Sequence, residues 1–127
     1  MESSEIKKVT EAQITEAAFQ YGRQVATIIE KKDKTLTNQS FLDSVSQAFE
    51  VEIISLQPEN NSLRAVEKLL LEAYQTDAQA ADNIQKMGSD SLLYTKPFTR
   101  ERPDGSTEFS KALGIRMTKK QVILTIK

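Results

Sequence analysis

The sequence has 127 residues, 39% hydrophobic and 28% charged, with a net charge of -1 and neither cysteine nor histidine. This length and balance fit one globular domain, residues 1–127, with a modest core. The missing residue types exclude disulfides, thiol catalysis, haem attachment through Cys-x-x-Cys-His, most zinc sites and the usual proton carrier near neutral pH.

No stretch approaches the about 20 apolar residues of a membrane span, and the first residues carry no signal-peptide pattern. Met1-Glu2-Ser3-Ser4 fits either a cytosolic start or the trimmed front of an exported protein. The overall charge suggests no nucleic-acid or membrane partner. Its distribution is uneven: residues 1–95 hold 9 basic against 15 acidic side chains, and residues 96–127 hold 8 against 3. Either the two parts attract each other, or Arg100, Arg102, Lys111, Arg116, Lys119 and Lys120 form a patch for an anionic partner. The patch lacks interleaved aromatics, which argues against nucleic acid.

Apolar residues three or four apart over 5–32, including Ile14, Ala18, Val25 and Ile29, predict a long helix capped by Ser3 or Ser4. Gly22 inside it marks a close-packing point. The polar break Lys31–Thr35 precedes a second helix over 40–49, capped by Asn38 or Ser40. Val51–Leu56 alternates and is rich in β-branched residues, so it predicts a strand with Val51, Ile53 and Ser55 on one face. Gln57–Ser62 is a turn, and Asn61 or Ser62 caps a third helix to about Gln75. Its face is Leu63, Val66, Leu69, Leu70, Ala73 and Tyr74, with Glu67 and Leu71 off it.

Residues 76–82 predict a loop or loose helical turn, and Asn83–Lys86 lead into a turn at Met87–Asp90. A strand over 91–98 ends at Pro97, which lacks a backbone donor. A long charged loop carrying Pro103-Asp104-Gly105 then connects to a strand over 111–118. The C-terminal residues have strand composition, but Thr118-Lys-Lys-Gln121 favours a short helix packing Val122, Ile123 and Ile126. The fold class is α+β, a small antiparallel sheet with helices packed mainly on one face.

No nucleotide-binding, nucleophile-elbow or zinc-protease motif occurs, and four glycines make a phosphate-cradling loop a poor fit. Glu50 with Glu52, taken as one strand face, and Asp77 with Asp82 are paired carboxylates that do acid–base work if buried, or stay solvated surface. Tyr21, Tyr74, Tyr94, Lys96 and Arg116 are candidates for a small-ligand pocket under the helices. The plainer reading of Lys96 and Arg116 is an ordinary cross-strand ion-pair surface. Asn60-Asn61-Ser62 fits a glycosylation sequon and a capping turn equally.

The order of elements adds a family resemblance. The helix AAFQYGRQVA (17–26), the strand VEIISL, the turn around Pro58, Asn60 and Asn61, the strand end LYTKPF (93–98) and the closing Leu113-Gly114-Ile115 occur in that order. Together they resemble an exported bacterial c-type haem family whose domain is PAS-like and also serves as a sensor module in histidine kinases. The loop that bears Cys-x-x-Cys-His in that family reads TRERPDGSTEFS here, so covalent haem does not carry over. Non-covalent His-ligated haem does not either, and no cofactor is expected. The resemblance implies a PAS-like fold, a periplasmic or lipid-anchored location behind a removed signal, and a sensor role. A cytoplasmic location follows if no signal was removed.

The expected function is a non-enzymatic module binding a small ligand or a partner protein. Two other classes stay open. One is a small enzyme using carboxylates with Lys or Arg. The other is an adaptor that meets an acidic partner through Arg100 and Arg102.

Overall fold

The structure is a computed structural model, and residues 9–33, 35–77 and 81–126 of it are described. The helix cap at Ser3 or Ser4 and part of the 76–82 loop lie outside the described residues. Within them the order is α1 (Glu11–Asp33), α2 (Gln39–Phe49), β1 (Glu52–Leu56), α3 (Ala65–Thr76), β2 (Asn83–Met87), β3 (Ser91–Glu101), β4 (Thr107–Thr118) and α4 (Lys119–Thr125). The strands form one antiparallel sheet in the order β1-β4-β3-β2. The protein is therefore α+β. Among the described residues no helix is long and apolar enough to cross a membrane.

Alternation along β3 and β4 supplies two apolar faces rather than one. Leu92, Tyr94, Phe98, Ile115 and Met117 pack with α1, α2 and α4. Leu93 and Ala112 turn to the other side and pack with α3. Most of the helical cover is on one face, as expected, but α3 closes the second, because an apolar row there would otherwise meet water.

Local chemistry sets the element ends. Thr10 and Gln13 cap α1 reciprocally: the Gln13 N–H donates to Thr10 Oγ1 at 3.1 Å and the Thr10 N–H to Gln13 Oε1 at 2.9 Å. Asp33 organises the turn that follows, accepting from the Asn38 N–H at 2.7 Å, the Thr37 N–H at 3.2 Å and the Thr35 hydroxyl at 3.1 Å. Burial pushes the Asp33 carboxyl up, but these donors outweigh it and hold it below the ordinary 3.8. Of the two predicted caps of α2, Asn38 and Ser40, Asn38 serves, accepting from the Phe41 N–H at 3.1 Å. Thr118 caps α4, accepting from the Gln121 N–H at 3.1 Å, so the C-terminal segment is helix.

Several expectations are corrected. Glu50 is not on a strand beside Glu52; it is the left-handed C-cap of α2, with φ 55°. Asn61 and Ser62 do not cap α3, which starts later, at Ala65 behind Arg64. The buried face of α3 is Glu67, Leu70, Leu71 and Tyr74, while Leu69 is 65% exposed. Ile123 faces outward at 38% exposure, and only Val122 of α4 is buried. Asn83–Met87 is a strand, held by pairing with Thr95–Ser91. The long loop is short: β3 continues through Pro97 to Glu101, and β4 begins at Thr107. Cross-strand pairing extends the hairpin past the point where its own pattern fades.

Candidate functional site

The three tyrosines, Lys96 and Arg116 do not share one pocket, because the sheet separates them. Tyr21, Tyr94 and Lys96 lie on the α1 side, whereas Tyr74 and Arg116 lie on the α3 side. Each is engaged in a separate contact. The Tyr21 hydroxyl donates to the Phe49 carbonyl, closing the end of α2 onto α1. Lys96 pairs with Glu30 of α1.

Tyr94 is the centre of the α1 face. It is 1% exposed, and its ring lies directly over Gly22. Its hydroxyl donates to Asp82 Oδ2 at 2.7 Å, and the same oxygen accepts from Arg23 Nε at 2.9 Å. The Arg23 guanidinium stands 3.9 Å from the Phe19 ring centroid, and Phe19 in turn meets Tyr94 with centroids 6.0 Å apart. The hydrogen bond from Arg23 holds the Asp82 carboxyl below its usual range, against the effect of burial. Burial and the neighbouring Asp82 carboxylate push the Tyr94 phenol up. Asp82, which with Asp77 reads from the sequence as either a paired carboxylate or solvated surface, thus serves Arg23 and Tyr94.

On the α3 side, Arg116 grips Glu67 with two parallel bonds, Nε to Oε2 at 2.7 Å and Nη2 to Oε1 at 2.8 Å. Glu67 is fully buried and also accepts from the Arg64 N–H at 2.8 Å. Burial raises its carboxyl, but Arg116 and the Arg64 N–H outweigh this and hold it below 4.5. Glu52, opposite Arg116 on β1, takes Nη1 at 2.6 Å. Arg116 is therefore a structural cation. Its signal in the sequence was a lone arginine between the apolar Ile115 and Met117, matched by a glutamate four residues before Leu71 in an apolar helix stripe.

Tyr74 completes this side, its hydroxyl 2.6 Å from Thr95 Oγ1 and its ring stacked on Phe109 with centroids 6.2 Å apart. Tyr74→Phe leaves the fully buried Thr95 hydroxyl without this partner. A loss of about 1–2 kcal/mol is expected from urea unfolding, largely recovered when Thr95→Val is added. Burial pushes the Tyr74 phenol up as well. Groups whose folded pKa is raised stabilise below their unfolded value and lose that contribution as pH rises. Stability should therefore fall above the ordinary 10, with the Tyr74 and Tyr94 phenolates appearing in absorbance only as circular dichroism reports unfolding.

The basic residues divide between ion pairs and one open groove. Lys119 and Lys86 both hold Glu11, at 2.7 and 2.5 Å, and the hydrogen bonds, Lys119 foremost, lower its carboxyl to about 2. Lys119–Glu11, Lys96–Glu30, Arg116–Glu52 and Arg116–Glu67 realise the attraction between the basic C-terminal part and the acidic remainder, while Lys86–Glu11 lies within the acidic part. Arg100 and Arg102 differ. Both lie on the hairpin, both are more than half exposed, and both reach one carboxylate, Glu108, each through Nε. They line an open groove of about 510 Å3 with Gln57, Gln75, Phe109 and Lys111. Among the described residues no group of three or more carboxylates gathers to hold a metal ion.

This arrangement defines an α+β domain with an exposed basic groove at one end of its sheet. No family model, curated protein or solved structure matches the chain.

Proposed function

We propose that this chain is a non-enzymatic, PAS-like binding module that takes a small ligand or a partner protein at the hairpin groove. The observation that carries it is the pair of exposed guanidiniums, Arg100 and Arg102, sharing a single carboxylate over a groove of about 510 Å3. The groove also lies in the stretch that the resemblance aligns with the haem-bearing loop. The buried carboxylates Glu67 and Asp33 hold an arginine and a helix turn in place, which favours binding over acid–base chemistry.

The PAS-like part of the reading rests on the order of elements that the resemblance matches, in which two of the matched glycines are close-packing points. Gly22 meets Tyr94, and Gly114 lets Ile54 and Leu56 lie close over β4. A location outside the cytoplasm goes with it and is tested by fractionating cells that produce the native protein. The function is tested by hydrogen exchange on the whole chain with a panel of metabolites and of acidic and basic peptides. Protection at Gln57, Gln75 and residues 100–111 is the expected result. Protection confined to another surface would sink the groove, and turnover of a panel compound would sink the non-enzymatic reading.

A further inference from the structure

We propose that the open edge of β4 in this groove docks an extended acidic peptide, which adds as a strand beside residues 108–111 and sets carboxylates against Arg100 and Arg102. This rests on the binding-module reading and names its partner class. β1 pairs with β4 only from Glu52↔Arg116 to Leu56↔Ala112, after which the chain turns away at Gln57. β4 continues to Thr107 with β3 as its ladder partner. In an antiparallel ladder alternate residues turn N–H and C=O outward. The edge at Glu108–Lys111 has no second ladder partner among the described residues; its alternation is interrupted at Ser110, which the register leaves unpaired between Thr99↔Phe109 and Phe98↔Lys111, and these four consecutive residues line the groove.

The charge around that edge selects the partner. Glu108 is shared by two guanidiniums through Nε alone, so the Nη groups are left for a further carboxylate. The Lys111 ammonium donates to a neutral acceptor, the Thr35 carbonyl, at 2.7 Å. Three cations, Arg100, Arg102 and Lys111, thus line the groove with two carboxylates, Glu59 and Glu108. Strand addition takes its affinity from main-chain bonds and its selectivity from alternate side chains. A free carboxylate or phosphate would find the guanidiniums but gain nothing from the backbone edge. The register shift at Phe98/Thr99 keeps the added strand short.

The test is backbone amide NMR of the whole chain at low salt. The probes are an acetylated hexapeptide alternating glutamate and valine, its lysine–valine counterpart, and the first peptide with alternate backbone nitrogens methylated. Only the unmethylated acidic peptide should shift Gln57 and Glu108–Lys111, and the charge-reversed variant R100E/R102E should weaken it by about tenfold or more. Equal binding of the methylated peptide, competition by glutarate or inorganic phosphate at the same amides, or shifts on another face would each overturn strand addition. The first two would leave the groove standing as an anion site. If neither peptides nor panel metabolites reach the groove, the binding-module reading falls as well.

Discussion

Replacing Glu67 by alanine or Arg116 by methionine is expected to destabilise the fold by about 3–5 kcal/mol, the largest single effect in this chain. Glu67 has no solvent exposure, so R116M strands its carboxylate away from water, while in E67A the 11% exposed Arg116 loses its two-pronged buried partner and keeps only the exposed Glu52. The double substitution to leucine at 67 and methionine at 116 should recover most of the loss, since an apolar pair of similar volume needs no compensation. Urea unfolding of the three variants decides it. If R116M unfolds at the wild-type midpoint, the pair is not structural.

The same site has a pH signature. In the wild type the Glu67 carboxyl is held below the ordinary 4.5, so its stabilisation is present above that value and is lost as pH falls through the folded pKa. In R116M burial acts against the Arg64 N–H alone, without the guanidinium, so the carboxyl rises relative to wild type. The deficit of R116M against wild type should then be widest near neutral pH and shrink below the ordinary 4.5.

Gly22→Ala is the second large effect. In an exposed helix this change would gain about 1 kcal/mol. Here the added Cβ would stand 2.4 Å from Tyr94 Cγ and 2.7 Å from its Cβ, well inside contact distance. The Tyr94 ring cannot step aside, because Asp82 holds its hydroxyl and Phe19 flanks its face. A net loss of about 2 kcal/mol or more is expected in thermal or urea unfolding. In a Tyr94→Ala background the clash is absent, and G22A should become neutral or slightly stabilising. A double-mutant cycle with no coupling between the two positions would refute the contact.

These two sites mark what was legible. The glycine within the α1 pattern signalled close packing, and the structure identifies its partner as a tyrosine ring rather than a crossing backbone. The Glu67–Arg116 pair is not legible in the sequence, because the apolar pattern of α3 leaves Glu67 off its face. Counting only apolar residues rotates the stripe toward Leu69, while burial follows Leu70, Leu71 and Tyr74 with Glu67 among them. A glutamate belongs inside when an arginine on the facing strand neutralises it, and 49 residues separate the two. The five-residue pocket failed to assemble for a related reason. Alternation along β3 and β4 sends Tyr94 and Arg116 to opposite faces, and only the strand register reveals this.

Composition and local pattern carry the α+β class, the long first helix with its glycine, a cap for the second helix at Asn38 or Ser40, the strand at Ile53, a leaning toward a helix after Thr118, and the lack of the cysteine that thiol and covalent-haem chemistry need. Those rest on capping, periodicity and composition, which act within a few residues of chain. Long-range pairing and packing make Asn83–Met87 a strand, lay α3 over the second face, and turn the long charged connection into a hairpin with a short turn. Tertiary contacts also set which cations pair with acidic residues of the rest of the chain and which, Arg100 and Arg102, share Glu108 on the exposed hairpin. The physical reason is that strand pairing and charge compensation join residues such as Arg23 and Asp82, 59 positions apart, whose energies no local pattern records.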